Sequence, residues 1–469
     1  MTPLAAPVIF LPLKPTENQP KFDPTRYFCG HTRLKLKLTA LVAVAVALLQ
    51  CSARAATNFL AAADFSDLAL FESWGVAYKD GGQAGDGLQI LKNHGINCVR
   101  LRLFTSSAAQ ASADPYNYAN NINYTVPLAV RVKKAGLLFS LDFHYSDTWA
   151  DPGHQATPAA WTNLNLTQLA QQMRTYNSNT IATFAAAGAM PDYVQVGNEI
   201  TSGLLWPLGQ LSGNDPSSWP PFAQLMKAAI QGIQDAAGAW LPKIVVHIDR
   251  GGDWAGTQWF FDNLNAQGVP FDIIGESYYP FYQGSPTNLS NCLNNAAARY
   301  GKPIFIAEDA FPWTNTCPSS WTNSLYGFPP TTAGQVSFIA ALARIVKSVP
   351  NQLGAGFFYW GAEYQAVPGI NEAGYNTASF FDSSGNVLPV ADAVGGMGAP
   401  LLLSASLDGS TLHLQWPLSG AASKLVMATN LAPSAVWSFV AGSIQTTGTV
   451  FTVTLPISNN AGFYRLQPD

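Results

Sequence analysis

Glu199 and Glu308 each close a short apolar run. The runs are Tyr193-Val194-Gln195-Val196-Gly197-Asn198-Glu199 and Pro303-Ile304-Phe305-Ile306-Ala307-Glu308. Near-continuous apolar and β-branched residues read as strands buried on both faces of a parallel sheet. A carboxyl at the C-terminal end of such a strand lies where a (β/α)8 barrel carries its chemistry. Two of them on different strands can flank a glycosidic bond. One protonates the leaving oxygen and the other attacks the anomeric carbon, with about 5–5.5 Å between the groups in a retaining reaction. Either glutamate alone is more readily read as a salt bridge at the rim. The pair, and what flanks it, decides.

Eight strand-like stretches must position these groups: residues 59–64, 97–103, 137–143, 193–198, 243–248, 271–276, 303–308 and 355–360. Amphipathic or Ala-rich segments lie between them, such as Asn121 to Ala135, Leu166 to Ala187 and Phe222 to Ala237. Repeated βα units with right-handed crossovers give a parallel sheet, and eight of them close into a barrel. On this count Glu199 ends strand four and Glu308 strand seven. A doubly wound open sheet is the rival. It calls for a phosphate-binding glycine turn directly after an early strand, and Gly81-Gly82-Gln83-Ala84-Gly85-Asp86-Gly87 has neither the spacing nor the place.

Other side chains on the same rim complete a candidate site. Asn198 can hydrogen-bond a sugar 2-OH, although strand-end asparagines also serve plain turns. Arg102, near the end of strand two, is assigned to orient the nucleophile; Arg100 shares its face by alternation and is the rival. His144 and His247 end strands three and five beside Tyr145 and Asp249, and sugar positioning weighs evenly against a structural role. Tyr279 and Trp360 follow strands six and eight, where aromatic rings can floor a subsite or pack the core. Trp149, Trp206, Trp254 and Trp313 fall in predicted βα loops, where stacking on a glycan is the better reading for some.

The pattern changes at Val394-Gly395-Gly396-Met397-Gly398-Ala399-Pro400, read as a Gly-rich linker over 394–400. Beyond it the period becomes two, predicting a small all-β, sandwich-like accessory domain over 401–469. The barrel is expected over 56–393. At the other end, Arg33, Lys35 and Lys37 precede the apolar run Leu38 to Leu49, followed by Ala53-Arg54-Ala55. Residues 1–55 are therefore expected to be a leader and signal peptide, and the mature protein to be secreted or periplasmic with no membrane span. Removing the seven basic and two acidic residues of 1–55 takes the 24 basic and 28 acidic residues to 17 and 26, a net of −9.

Charged residues make up only 11% of the chain, without basic clusters. That excludes a nucleic-acid binder and suits a neutral polysaccharide. Cys98 lies in a strand and reads as a small core residue. Cys292 and Cys317 could pair in an oxidising compartment. No spacing resembles a zinc site, and neither a metal nor a cofactor is expected.

Gly197-Asn198-Glu199-Ile200-Thr201-Ser202-Gly203-Leu204-Leu205-Trp206-Pro207 and the long Asp142-Phe143-His144-Tyr145-Ser146-Asp147-Thr148-Trp149-Ala150-Asp151-Pro152-Gly153-His154-Gln155 are specific motifs. With Ala63-Asp64-Phe65-Ser66, Tyr78-Lys79-Asp80, Val99-Arg100-Leu101-Arg102 and Ser277-Tyr278-Tyr279-Pro280-Phe281, they make residues 58–395 resemble the arabinogalactan endo-β-1,4-galactanases, glycoside hydrolase family 53. The resemblance implies a (β/α)8 barrel, a retaining reaction on galactan, Glu199 as acid/base and Glu308 as nucleophile. Asp142, which opens the longest motif, is counted with the substrate-binding residues. The chain departs from the family at Phe104-Thr105-Ser106-Ser107, at Asp309 after the nucleophile, at Trp360-Gly361-Ala362-Glu363-Tyr364, and at Glu276 in a usually apolar position. These departures bear on the subsites and on any calcium site, not on the two carboxylates. The alternatives are another clan-related retaining β-glycanase, such as a mannanase or glucanase, and a noncatalytic glycan-binding protein. Retention of both glutamates argues against the latter.

Overall fold

A computed structural model describes residues 9–10, 59–213, 215–408, 411–430, 432, 434–440, 442–447, 449–456 and 462–468. The eight predicted strands are present: β1 (Leu60–Asp64), β2 (Cys98–Leu103), β3 (Leu138–Phe143), β4 (Tyr193–Val196), β5 (Lys243–Ile248), β6 (Ile273–Ser277), β7 (Ile304–Asp309) and β8 (Gly354–Tyr359). They form a closed barrel in the order β7-β8-β1-β2-β3-β4-β5-β6, every pair parallel. Helices cover the outer face, so both faces of each strand are buried; this is why the strands read as continuous apolar runs.

The lower barrel is filled by Leu60, Ala62, Cys98, Val245, Ile273, Phe305 and Phe358. Burying a side chain of the larger kind stabilises by about 1.5–3 kcal/mol. Cys98 is a core residue here, as its setting suggests. Above this layer the inward positions turn polar. Register sets which polar groups meet: Arg100 is level with Ser140, Arg102 with Asp142, and Glu308 with Ser277. Local signals fix the flanking helices. Asn165 and Gln168 form a capping box at the start of Leu166–Ala186, and Ser285 and Asn288 form one before Pro286–Tyr300.

The structure differs from the sequence reading at the expected linker. Val390–Gly398 is a helix that buries Val390, Ala391, Ala393, Val394, Gly395 and Met397. A Cβ on Gly395 would lie 1.9 Å from the His94 carbonyl oxygen. The glycine thus allows close packing, not flexibility, and the barrel unit runs Phe59–Ala399, with Pro400–Asp469 belonging to the second unit. The suggested Cys292–Cys317 pair is absent: both are free thiols, and Cys292 Sγ contacts Thr257 Oγ1 at 3.3 Å.

The C-terminal unit has strands β9 (Ser404–Asp408), β10 (Thr411–Pro417), β11 (Ser423–Ala428), β12 (Ser438–Phe439), β13 (Gln445–Thr447), β14 (Val450–Pro456) and β15 (Phe463–Pro468). They form two antiparallel sheets, β9-β10-β14-β13 and β15-β11-β12. Trp416 is 1% exposed and packs on Phe451, so it serves the core of this unit. The leader read over residues 1–55 lies outside the described residues, except that Ile9–Phe10 pairs with Phe463 and Tyr464 of β15. Among the described residues no helix is long and apolar enough to cross a membrane.

Candidate active site

A cavity of about 600 Å3 opens at the C-terminal end of the barrel strands, lined by both glutamates. Glu308, on β7, is held from two sides. Arg100 Nη1 donates to its Oε1 at 2.9 Å, and Tyr279 Oη donates to its Oε2 at 3.0 Å. Arg100 also donates to Asp64 Oδ2 (3.2 Å), Asp142 Oδ2 (2.8 Å) and Asn198 Oδ1 (2.9 Å), so its two terminal nitrogens bind four side chains, from β1, β3, β7 and just beyond β4. Burial pushes the Glu308 carboxyl above the ordinary glutamate value, while Arg100 pulls it down.

Glu199 follows a sharp turn. Gly197 has φ +87°, where a Cβ would come within 2.5 Å of Ile200 Cγ2, and Glu199 itself is left-handed at φ 49°. Strained backbone of this kind concentrates where a side chain must be aimed. Here it turns the Glu199 carboxyl onto Ser277, whose Oγ lies 2.5 Å from Oε1. Burial, then the charges of Glu308 and Asp249, hold the Glu199 carboxyl well above its usual range. Asp249 lines the same wall and accepts from Thr201 Oγ1 at 2.5 Å.

Asn198 is fixed by four contacts. Its Oδ1 receives Arg100, His247 Nδ1 (3.0 Å) and Gln195 Nε2 (3.2 Å), and its Nδ2 donates to the Ala150 carbonyl at 2.8 Å. His144 Nδ1 accepts the Ala150 N–H at 2.9 Å, which leaves the proton on Nε2, 3.1 Å from Asp142 Oδ2. Burial alone would raise the Asp142 pKa; Arg100 and His144 overcome it, and the net is lowered. Around the mouth stand Trp149, Tyr279, Tyr282, Trp360 and Tyr375, with the Trp360 and Tyr375 ring centroids 4.4 Å apart.

Of the predicted residues, Arg102, His144, Trp149, Asn198, Asp249, Tyr279 and Trp360 line the cavity with Glu199 and Glu308. Arg102 does not touch the nucleophile as expected; Arg100 does. Arg102 Nη2 instead pairs with Asp67, its Nε donates to Asn120 Oδ1 at 2.9 Å, and its guanidinium lies 4.0 Å from the Trp149 ring centroid. Both arginines face inward, but Arg100, one inward position deeper, is the one that reaches across to β7. Three residues expected at the substrate do not line the cavity. Asp142 and His247 are fully buried beneath its floor, where they hold Arg100, His144 and Asn198. Trp313 is turned away, donating from Nε1 to the Asn376 carbonyl at 3.3 Å.

Sequence reasoning passed over Asp64 and Ser277, although both stand inside quoted motifs, and Gln195, which donates to Asp142 Oδ1 at 2.5 Å. The unusual Glu276 points away from Ser277 and is bound by Thr257 Oγ1 (2.9 Å) and the Arg250 N–H (3.1 Å). Among the described residues no group of three or more His, Cys, Asp or Glu could hold a metal ion.

Residues 60–394 match the family model described as Glycosyl hydrolase family 53. An uncharacterized protein of Niallia circulans is 41% identical over 313 residues, covering 64% of this chain and 83% of its own length. An arabinogalactan endo-β-1,4-galactanase of Humicola insolens is 38% identical over 307 residues, or 63% of this chain and 87% of that one. Among solved structures, a fungal β-1,4-galactanase superposes with a TM-score of 0.64 at 34% identity, over 71% of this chain and 98% of that chain. The family 53 catalytic domain of Ignisphaera aggregans gives 0.66 at 32% identity, over 72% and 96%.

Proposed function

Because the chain belongs to glycosyl hydrolase family 53, we propose that it is an endo-β-1,4-galactanase that cleaves galactan with retention of configuration. The observation that carries this reading is the asymmetry between the two carboxyls that line one cavity. Glu308 is gripped by a guanidinium and a phenol, which favour its anion. Glu199 is part-buried with no cation against it and faces other carboxylates, which favours its acid. An anionic nucleophile and a protonated acid are what the first half-reaction needs.

Glu308 attacks the anomeric carbon as the carbon–oxygen bond to the leaving sugar breaks, and the Glu199 proton passes to that oxygen. The glycosyl ester removes the Glu308 charge, and Glu199 is now the anion. Water then attacks the anomeric carbon, gives its proton to Glu199, and Glu308 leaves as carboxylate. Each half-reaction resets the other group, and the two limbs of the pH profile belong to the pair.

The names carried by relatives support pectic galactan or type I arabinogalactan as substrate. Reducing-end release should be far faster on galactan than on mannan or β-glucan; the reverse order would transfer the chain to a related glycanase activity. Equimolar binding without turnover would make it a glycan-binding protein. The basic, apolar and small-residue pattern before Ala56 supports export. Protein recovered from the medium or periplasm should then begin near Ala56.

A further inference from the structure

Ser277 Oγ stands between two groups that cannot both take its single proton. It is 2.5 Å from Glu199 Oε1 and 2.8 Å from His247 Nε2. The far side of the histidine decides the matter. His247 Nδ1 is 3.0 Å from Asn198 Oδ1. The Asn198 amide cannot be reversed, because its Oδ1 also receives Arg100 Nη2 while its Nδ2 donates to a backbone carbonyl. Nδ1 must therefore carry hydrogen. His247 is fully buried beside Arg100, and burial followed by that charge holds its pKa well below the ordinary value, so the ring is neutral and Nε2 is bare. A bare Nε2 takes the serine proton. Ser277 Oγ is then left with only lone pairs to offer Glu199.

We infer that Ser277 and His247 form a positioning pair that accepts a hydrogen bond from protonated Glu199, and so hold the acid's proton in the free enzyme. This rests on the assignment of Glu199 as acid/base. When Glu199 ionises, one of the two bonds along Glu199–Ser277–His247 is lost: the hydroxyl either turns to the carboxylate and abandons Nε2, or stays and opposes the anion with its lone pairs. A hydroxyl that donated to the carboxylate would lower the Glu199 pKa, against Glu308 from β7, Asp249 beyond β5 and Asp151 beyond β3, which raise it; with its proton on His247 Nε2, Ser277 does not donate there. The groups facing His247 are Arg100 from β2, and Asp142 and His144 from β3 and its end; none supplies a proton to Nε2. To reach the leaving oxygen, the proton on Oε1 must turn away from Ser277. The pair therefore sets proton retention in the free enzyme, read in kcat/KM, more than the transfer step read in kcat.

The test turns on a sign. Removing an acceptor of the acid's proton lowers the Glu199 pKa; removing a donor to its carboxylate would raise it. In Ser277→Ala the basic limb of kcat/KM on an aryl galactobioside should move down by about 1 pH unit, with the acidic limb in place. An unchanged limb, or one that moves up, overturns the proposal. Wild-type protein labelled with 15N-histidine gives a second reading that needs no variant to be active. The His247 signal, assigned by its absence in His247→Gln, should be the neutral Nδ1–H tautomer across the active pH range. An Nε2–H tautomer or an imidazolium overturns the inference. Failure of the wild type to cleave galactan would instead sink the proposed function, and the tautomer would still be readable.

Discussion

Arg100 Nη1 donates to Glu308 Oε1 across 2.9 Å, while Arg102, two residues on, pairs with Asp67 and lies over Trp149. The two inward arginines of one strand therefore have separate tasks. Arg100→Gln should lower kcat about 10²–10³-fold, since it leaves buried carboxylates without their cation at a cost of about 3–4 kcal/mol. It should also move the acidic limb up, because the lost charge favoured the Glu308 anion. Arg102→Gln should leave that limb in place and act mainly through KM. Steady-state profiles of the two variants, with circular dichroism as a control for folding, would show the assignment reversed if Arg102→Gln alone shifted the acidic limb.

Glu199→Gln and Glu308→Gln should each reduce galactan hydrolysis by about 10³-fold or more with the fold intact. Azide should restore turnover of an activated substrate by Glu308→Ala and yield a glycosyl azide of inverted configuration. Proton NMR of the first product from wild type should show the β-anomer. An initial α-anomer would remove Glu308 from the nucleophile's role.

Glu276 offers a test on stability rather than activity. Burial holds its pKa well above the ordinary value, and the Thr257 and Arg250 bonds pull only part of the way back. The folded state thus keeps a proton that the unfolded chain loses above about pH 4.3. Stability falls as pH rises from there toward the folded pKa. Glu276→Gln preserves the acceptor for the Arg250 N–H and removes this penalty. Its Tm should equal wild type near pH 4 and exceed it at pH 8; a gain that shrank as pH rose would show that Glu276 is ionised in the fold.

Truncation distinguishes a linker from a structural helix. A chain ending at Ala399 keeps Val390–Gly398 and should hydrolyse short galacto-oligosaccharides at near wild-type rates. A chain ending at Pro389 loses the apolar cover of Val390, Ala391, Val394 and Met397 and should unfold at lower temperature, by several kcal/mol at about 1.5–3 kcal/mol per buried side chain. Equal melting of the two would return the segment to linker status. Loss of oligosaccharide hydrolysis in the longer chain would show that the C-terminal unit completes the site.

Much of this molecule was legible in its sequence because the relevant physics is local. Strands buried on both faces announce themselves as short apolar runs, and a carboxyl at the end of such a run is already at the reactive face of a barrel. Glu199 and Glu308 are read from that together with the flanking motifs, and Asn198, Tyr279 and Trp360 from their places beside the strand ends. The Gly-rich run at 394–398 misled because glycine permits both flexibility and close contact; only the His94 carbonyl packed against Gly395 decides between them.

What the tertiary structure alone decided are the relations between strands. Alternation put Arg100 and Arg102 on one face and could not rank them; the depth of each in the closed ring gave Glu308 to Arg100. The strand count places His247 at the rim, and the longest motif counts Asp142 with the substrate-binding residues, but the structure buries both beneath the cavity, where they set the orientation of Asn198 and Arg100. Ser277 is unremarkable in the sequence. It matters because β6 brings its hydroxyl between a carboxyl from beyond β4 and an imidazole from β5, and one proton cannot satisfy both.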